Sequence, residues 1–283
     1  MAFKAIFVCP KNNHQLRYAK LMGLGLQKHG ITDIQIVPYF DPKIMDANLV
    51  ATWAYRAERQ LGHWALIKKA QIENNGKFLI MERAYVGDRF NWVSLGYGGL
   101  NGNADFCNSD ITDSTRWNKH FPNELKEWRP QGKNVLVVGQ CLHDASISHI
   151  DIEKWYSNTI KELTERGNPV IFRPHPMNHY NWSDSSLQYK RDSSETFEEC
   201  LNQNIRCVVT FNSNAGVLST LAGVPTITCD KGSMAYNITK HDLTDLDYRP
   251  DRSLWAAQLA YTQWLPEELE SGEAFEHLKK KFL

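Results

Sequence analysis

The feature that most constrains this chain is an alternation of short apolar runs and helical patterns that breaks once and then restarts at Asn134. FKAIFV at residues 3–8 suits a buried strand and ends before Pro10, and a helical pattern follows from His14 to Lys28 with Gly30 as its stop. ITDIQIVP is a second strand closed by Pro38. Residues 48–74, with Leu49, Trp53, Leu61, Trp64 and Ile67, predict one helix or two, and KFLIM after Gly76 predicts a third strand. From 134 the order repeats: NVLVVG as strand, a helix from Asp151 to Arg166 stopped by Gly167, PVIFR as strand, a helix over 194–204, RCVVTF as strand, a helix over 214–222 and VPTIT as strand. Strands separated by helices call for parallel sheets with right-handed crossovers. The expectation is an α/β chain of two Rossmann-like domains, 1–130 and 131–252, joined near RPQGK at 129–133, where Pro and Gly interrupt the pattern. The Trp- and Leu-bearing tail, 253–283, reads as helices split at Pro266 and needs an apolar surface, so it is expected to pack back toward the first domain.

Composition narrows the function classes. With 42% hydrophobic and 23% charged residues, the 283-residue chain is too apolar for a disordered one. No stretch approaches the roughly 18 apolar residues of a membrane span, and the opening MAFKAIFVCPKNNH lacks a secretory apolar region and cleavage site. A cytoplasmic protein with no membrane span is expected. Cysteines 9, 107, 141, 200, 207 and 229 form no CxxC pair and have no histidine at finger spacing, so no metal site and no disulfide framework is expected. Basic and acidic residues balance at 32 each, but residues 1–130 hold 17 basic and 12 acidic side chains, a net of +5. Within 1–77 the count is 11 against 5, Lys68 and Lys69 among the basic ones, a surface suited to phosphates.

In open parallel sheets ligands bind beyond the carboxyl ends of the strands. Residues 82–106, ERAYVGDRFNWVSLGYGGLNGNADF, read as a long functional loop carrying Glu82, Arg83, Asp88 and Arg89. PVIFR runs into RPHP, where two prolines stiffen the chain around His175 and Arg173 suits an anion. RCVVTFNSNAG places Asn212, Ser213 and Asn214 at a strand-to-helix turn, which is either an anion site or simple N-capping. Gln140 and Asp144 follow the first strand of the second half, and Ser233 lies in the loop after VPTIT. No GxGxxG, Walker A, GxSxG or HExxH sequence occurs, which argues against dinucleotide oxidoreductases, P-loop enzymes, serine hydrolases and zincins.

RPHP followed by TFNSNAGVLSTLAGVPTIT resembles the donor-binding half of GT-B glycosyltransferases, a pattern shared by capsule-polysaccharide sugar transferases. ERAYVGDRF, SLGYGGLNG and the tail AYTQWLPEELESGEAFEHL resemble short bacteriophage glycosyltransferases, some of which glycosylate hydroxymethylated pyrimidines in DNA. The resemblance implies a GT-B fold whose two domains face across a cleft, and a nucleotide-sugar co-substrate, a UDP-sugar first, used without metal. Gln140, Asp144, Arg173, His175, Asn212, Ser213, Asn214 and Ser233 would bind this donor. Asp88 would serve as the base with Glu82 and His14 behind it, and Arg83, Arg89, Lys68 and Lys69 would face the acceptor. The phage resemblance implies double-stranded DNA carrying a base such as hydroxymethylcytosine, in the cytoplasm of an infected bacterium. A saccharide acceptor, or a non-catalytic nucleotide-sugar-binding protein, is the alternative.

Overall fold

A computed structural model describes residues 3–9, 13–38, 46–53, 77–142, 144–178 and 182–281. The chain forms two compact units, unit 1 being Met1–His120 with Ser253–Leu283 and unit 2 being Phe121–Arg252.

Unit 1 holds strands β1 (Lys4–Val8), β2 (Asp33–Val37), β3 (Leu49–Trp53), β4 (Lys77–Arg83) and β5 (Val93–Tyr97). With β11 (Gln263–Trp264) they form one sheet in the order β11-β5-β4-β3-β1-β2. The first four strands are mutually parallel, whereas β5 runs antiparallel to both β4 and β11. The period-2 alternation of β1 sends Ala5 and Phe7 to one face with Tyr18, Met22 and Leu26 of helix α1 (Asn13–Lys28), and Ile6 and Val8 to the other with Val50, Phe78 and Ile80.

Two expectations change here. Residues 49–53 are a strand with all five side chains buried, not the start of a helix; a run buried on both faces carries no period-2 signal against which a helix reading could be rejected. The rest of that predicted helix, 54–74, lies outside the described residues. The stretch 82–106 is not an open loop either, because its middle is β5, with a bridge from Tyr97 to Asp105 beyond it.

The tail completes unit 1. Its β11 puts Trp264, and helices α7 (Pro266–Ser271) and α8 (Glu273–Leu278) put Leu269, Phe275 and Leu278, into the core, each of the last three burials contributing about 1.5–3 kcal/mol. Helix α7 lies so close to α1 that a Cβ on Gly25 would sit 2.0 Å from the Leu269 carbonyl oxygen, so only glycine fits there. Arg116, on α2 (Thr115–His120), pins the tail: its Nη2 donates to Glu268 Oε2 at 2.7 Å and to the Gln263 carbonyl at 2.9 Å, and its Nε to the Ala260 carbonyl at 2.8 Å. Its guanidinium also lies 4.2 Å from the centre of the Trp264 ring.

Unit 2 holds β6 (Asn134–Val138), β7 (Val170–Arg173), β8 (Lys190–Arg191), β9 (Ile205–Thr210) and β10 (Thr226–Thr228), all parallel, in the order β10-β9-β6-β7-β8. Helix α3 (Ile152–Glu165) is capped by Asp151, which accepts from the Lys154 N–H at 3.0 Å. The helix over 194–204 shortens to α4 (Phe197–Leu201), begun by a Thr196–Glu199 capping box. Residues 121–130 group with unit 2 rather than with the first half. Lys126 and Arg129 donate backbone N–H bonds to Leu221 and Gly223 at 2.8 and 2.7 Å, an extended docking with no periodic sequence signal.

Strand order fixes where loops diverge. Counted within unit 2, the order is 3-2-1-4-5 with its switch between β6 and β9; within unit 1 the parallel part reads 2-1-3-4 with its switch between β1 and β3.

Candidate functional site

At the switch point of unit 2, Gln140 follows β6 and Asn212 follows β9. Both are 4% exposed and they clasp each other: Gln140 Nε2 donates to Asn212 Oδ1 at 2.7 Å, and the Asn212 N–H donates to Gln140 Oε1 at 2.9 Å. The Asn212 amide gives its two protons to the Ser146 carbonyl at 2.9 Å and to Asp230 Oδ1 at 2.8 Å, while Oδ1 also accepts from the Ser146 hydroxyl at 3.1 Å. An asparagine side chain has two donors and two acceptor sites, so Asn212 is saturated. Gln140 and Asn212, expected as donor contacts, set the positions of the loops around them.

The RPHP segment follows β7 on the other side of β6. The Arg173 guanidinium is paired with Asp192, whose side chain is wholly buried, and it donates to the Ser194 carbonyl at 3.1 Å. Burial works against the Asp192 carboxylate, but hydrogen bonds from Ser194, Arg173, Cys200 and Gln203 outweigh it and hold the pKa down to about 2. Arg173 braces its own unit, because the carboxylate beside it would otherwise be a buried unpaired charge. Its carbonyl accepts from the Gly139 N–H at 2.8 Å, joining the ends of β6 and β7. His175 is half-buried, with Nδ1 accepting from the Met177 N–H at 3.2 Å.

The turn before α5 (Ala215–Leu221) behaves as a cap. The Ser213 hydroxyl oxygen accepts from the Ala215 N–H at 3.2 Å and the Ser213 carbonyl from the Gly216 N–H at 2.9 Å. The Ala215 and Gly216 N–H groups, which the sequence left open between an anion and a cap, thus have partners within the turn. Asn214 makes no side-chain cap bond. Ser233 is buried, its hydroxyl accepting from the Ala235 N–H at 3.2 Å, and supports the site from behind Gly216. Asp144 is exposed and caps a short turn by accepting from the Ser146 N–H at 2.8 Å. Capacity remains at the rim in the Ser213 hydroxyl proton and in Asp230 Oδ2, which lies 3.5 Å from Nε2 of His149, a side chain 57% exposed. Ser146 and His149 carried no sequence signal, whereas Asp230 stands with Ser233 in the polar loop after VPTIT that the sequence marks at a strand end.

Unit 1 gathers a different set. Gln263 of β11 is fully buried and clamps the turn after β4: its Oε1 accepts from the Tyr85 and Val86 N–H groups at 2.9 and 3.1 Å, and its Nε2 donates to the Val86 carbonyl at 2.8 Å. The next residues are Gly87 and exposed Asp88, whose Oδ1 accepts from the Phe90 N–H at 2.9 Å. The Phe90 carbonyl accepts from the Tyr18 hydroxyl at 2.8 Å, and the Arg83 guanidinium lies 4.6 Å from the Phe90 ring centre. Arg89 Nε donates to the Ala84 carbonyl at 3.2 Å, and Glu82 Oε1 accepts from the Arg83 N–H at 2.8 Å. The His14 ring stands 5.0 Å from that of Tyr18 and 5.2 Å from that of Trp53. Burial, then the charges of Arg83 and Arg17, push the His14 pKa below its ordinary 6.5, so the imidazole is neutral at pH 7. His14, Glu82, Arg83, Asp88 and Arg89 therefore share one neighbourhood, joined by Arg17, Tyr18, Trp53 and Phe90. Arg17 lies three residues past His14 on α1, a spacing that puts both on one helix face. Lys68 and Lys69 lie outside the described residues.

No protein-family description and no curated protein sequence matches this chain. Solved structures do. Thermosulfurimonas dismutans KpsC, as a beta Kdo 2,4 transferase, is similar at a TM-score of 0.62 and 15% identity, over 94% of this chain and 93% of that one. The beta Kdo 2,7 transferase of the same KpsC is similar at 0.62 and 13%, over 99% of both chains. The protein thus has an α/β fold of the GT-B type, built from two Rossmann-like units.

Proposed function

We propose that the protein is a nucleotide-sugar-dependent glycosyltransferase, with unit 2 taking the nucleotide of the donor and unit 1 the acceptor. Fold alone does not assign chemistry. The observation that carries the reading is the braced switch point of unit 2, where the Gln140–Asn212 clasp holds Asp230 and Ser213 at the strand edge with capacity to spare. Asp230 Oδ2 can accept from ribose hydroxyls, and the Ser213 hydroxyl can donate to a phosphate oxygen. In unit 1, Asp88 accepts the proton of the attacking hydroxyl as its oxygen bonds to the anomeric carbon and the bond to the leaving nucleotide breaks. Glu82 and neutral His14 stand behind it. The donor is expected to be a UDP-sugar, and the transfer to need no metal.

For the acceptor, the likeness to two proteins described as Kdo transferases supports a saccharide. Arg17, Arg83 and Arg89 beside exposed Phe90 support a second reading, a hydroxymethylated pyrimidine in duplex DNA, as in the phage-type enzymes the sequence resembles. The test is to incubate the protein with UDP-, GDP- and CMP-linked sugars, Kdo included, and either saccharides or hydroxymethylated DNA, and to measure nucleotide release and sugar incorporation. Incorporation into one acceptor class assigns it; no consumption of any donor would overturn the transferase reading.

A further inference from the structure

Every arginine of unit 2 is held by a carboxylate or a carbonyl. Arg166 bonds Glu162 and the Leu243 carbonyl, Arg173 bonds Asp192, Arg206 bonds Asp247, and Arg129, Arg191, Arg249 and Arg252 bond carbonyl oxygens. In unit 1, Arg116 is spent in the same way. Arg17 and Arg83 are not: among the described residues neither side chain has a hydrogen bond or an ion pair. Each lies against a ring, Arg83 over Phe90 at 4.6 Å and Arg17 near Tyr18 at 5.9 Å. Both act on the same imidazole, since the two charges depress His14 together.

This is a compact cationic site with a fixed aromatic floor. Phe90 is 63% exposed, yet its carbonyl is tied to Tyr18 and its N–H to Asp88. The two nearby carboxylates, Glu82 and Asp88, each spend an oxygen on a backbone N–H and offset part of the positive charge. That balance suits one anionic group rather than a polyanion, which needs cations spread along a track. Guanidinium pairs well with both carboxylate and phosphate, and an aromatic face suits a sugar ring.

We infer that Arg17 and Arg83 bind a single carboxylate or phosphate group carried by a saccharide whose ring rests on Phe90. That this saccharide is the acceptor rests on the transferase reading; that the site takes an anion does not. The test is calorimetric titration, without donor, of the full chain with inorganic phosphate, glucuronate, glucose 6-phosphate and neutral glucose. The proteins compared are the wild type, Arg17→Gln, Arg83→Gln, the double variant, and Arg166→Gln as a control from unit 2. Thermal melts check folding, which should be unchanged because neither side chain is hydrogen-bonded among the described residues. The expected result is that the anions bind and glucose does not, that the double variant weakens anion binding at least tenfold, and that the control leaves it intact. That result supports the site even if no nucleotide sugar is consumed, an outcome that would count against the transferase reading alone. Equal anion binding by the double variant, or none by the wild type, overturns the inference. Binding of a duplex oligonucleotide with a salt dependence that the double variant flattens would also overturn it, in favour of a polyanion.

Discussion

The end of β6 in unit 2 and the end of β4 in unit 1 both carry an asparagine or glutamine clamp, but the clamps hold different things. Gln140 and Asn212 lock one another, and the nearby Arg173 is consumed by Asp192. Gln263 instead grips only backbone and leaves the side chains beyond it, Asp88, Arg83 and Phe90, presented outward. One edge uses its polar groups to hold its shape, and the other keeps them available. Substitutions at the first should register mainly as stability, and at the second mainly as activity.

The largest effect is expected from Arg173→Ala, which strands a buried carboxylate. Unit 2 should lose roughly 3–5 kcal/mol, read as a fall in the denaturant midpoint or the melting temperature. A variant that melts like the wild type but binds nucleotide sugar poorly would return Arg173 to the ligand and erase the contrast. Next is Asp88→Asn, which keeps the shape and removes the base. Turnover should drop by about 100-fold, equivalent to about 2.7 kcal/mol of barrier, with no change in melting temperature. Undiminished turnover would pass the role to Glu82 or His14.

Smaller but sharper is Asn212→Ala, which orphans the Gln140 amide and leaves Asp230 without one of its donors. A loss of about 1–3 kcal/mol in unfolding free energy is expected, accompanied by weaker nucleotide binding as the rim loosens. The smallest is the pH dependence. The folded pKa of Asp192, about 2, lies below the unfolded value near ~3.9. The unfolded chain therefore binds the proton more tightly. Roughly 2 kcal/mol of stability is present above pH ~4 and is lost as pH falls from about 4 toward about 2. Acid titration of Asp192→Asn should lack that component.

Much of the fold was legible because periodicity and punctuation agree. Helix α1, the Asp151 cap, and β6, β7, β9 and β10 follow from apolar runs bounded by Gly, Pro and Asp. What escaped has physical reasons. β3 is buried on both faces, so nothing in LVATW distinguishes strand from helix, and β11 is two residues long. At the site, residue type was readable but commitment was not. RPHP announces an arginine at a strand end, yet the carboxylate that claims it, Asp192, lies nineteen residues on, where no local pattern links the two. Ser213 and Asn214 fitted an anion site and a cap alike; the Ala215 N–H occupies the Ser213 hydroxyl oxygen as a cap would, and the hydroxyl proton stays open to a ligand. His14 lies about seventy residues before Arg83 and Asp88, and only the ordering of β1, β3 and β4 makes them neighbours.

The most direct measurement is amide hydrogen exchange on the full chain, with and without UDP, CMP and their sugar conjugates, resolved by segment. The account predicts nucleotide-dependent protection of 139–147, 211–216 and 229–233 at the switch point of unit 2, with 14–18 and 83–90 little changed until an acceptor is added. Protection confined to 14–18 and 83–90, or no protection by any nucleotide, would contradict it.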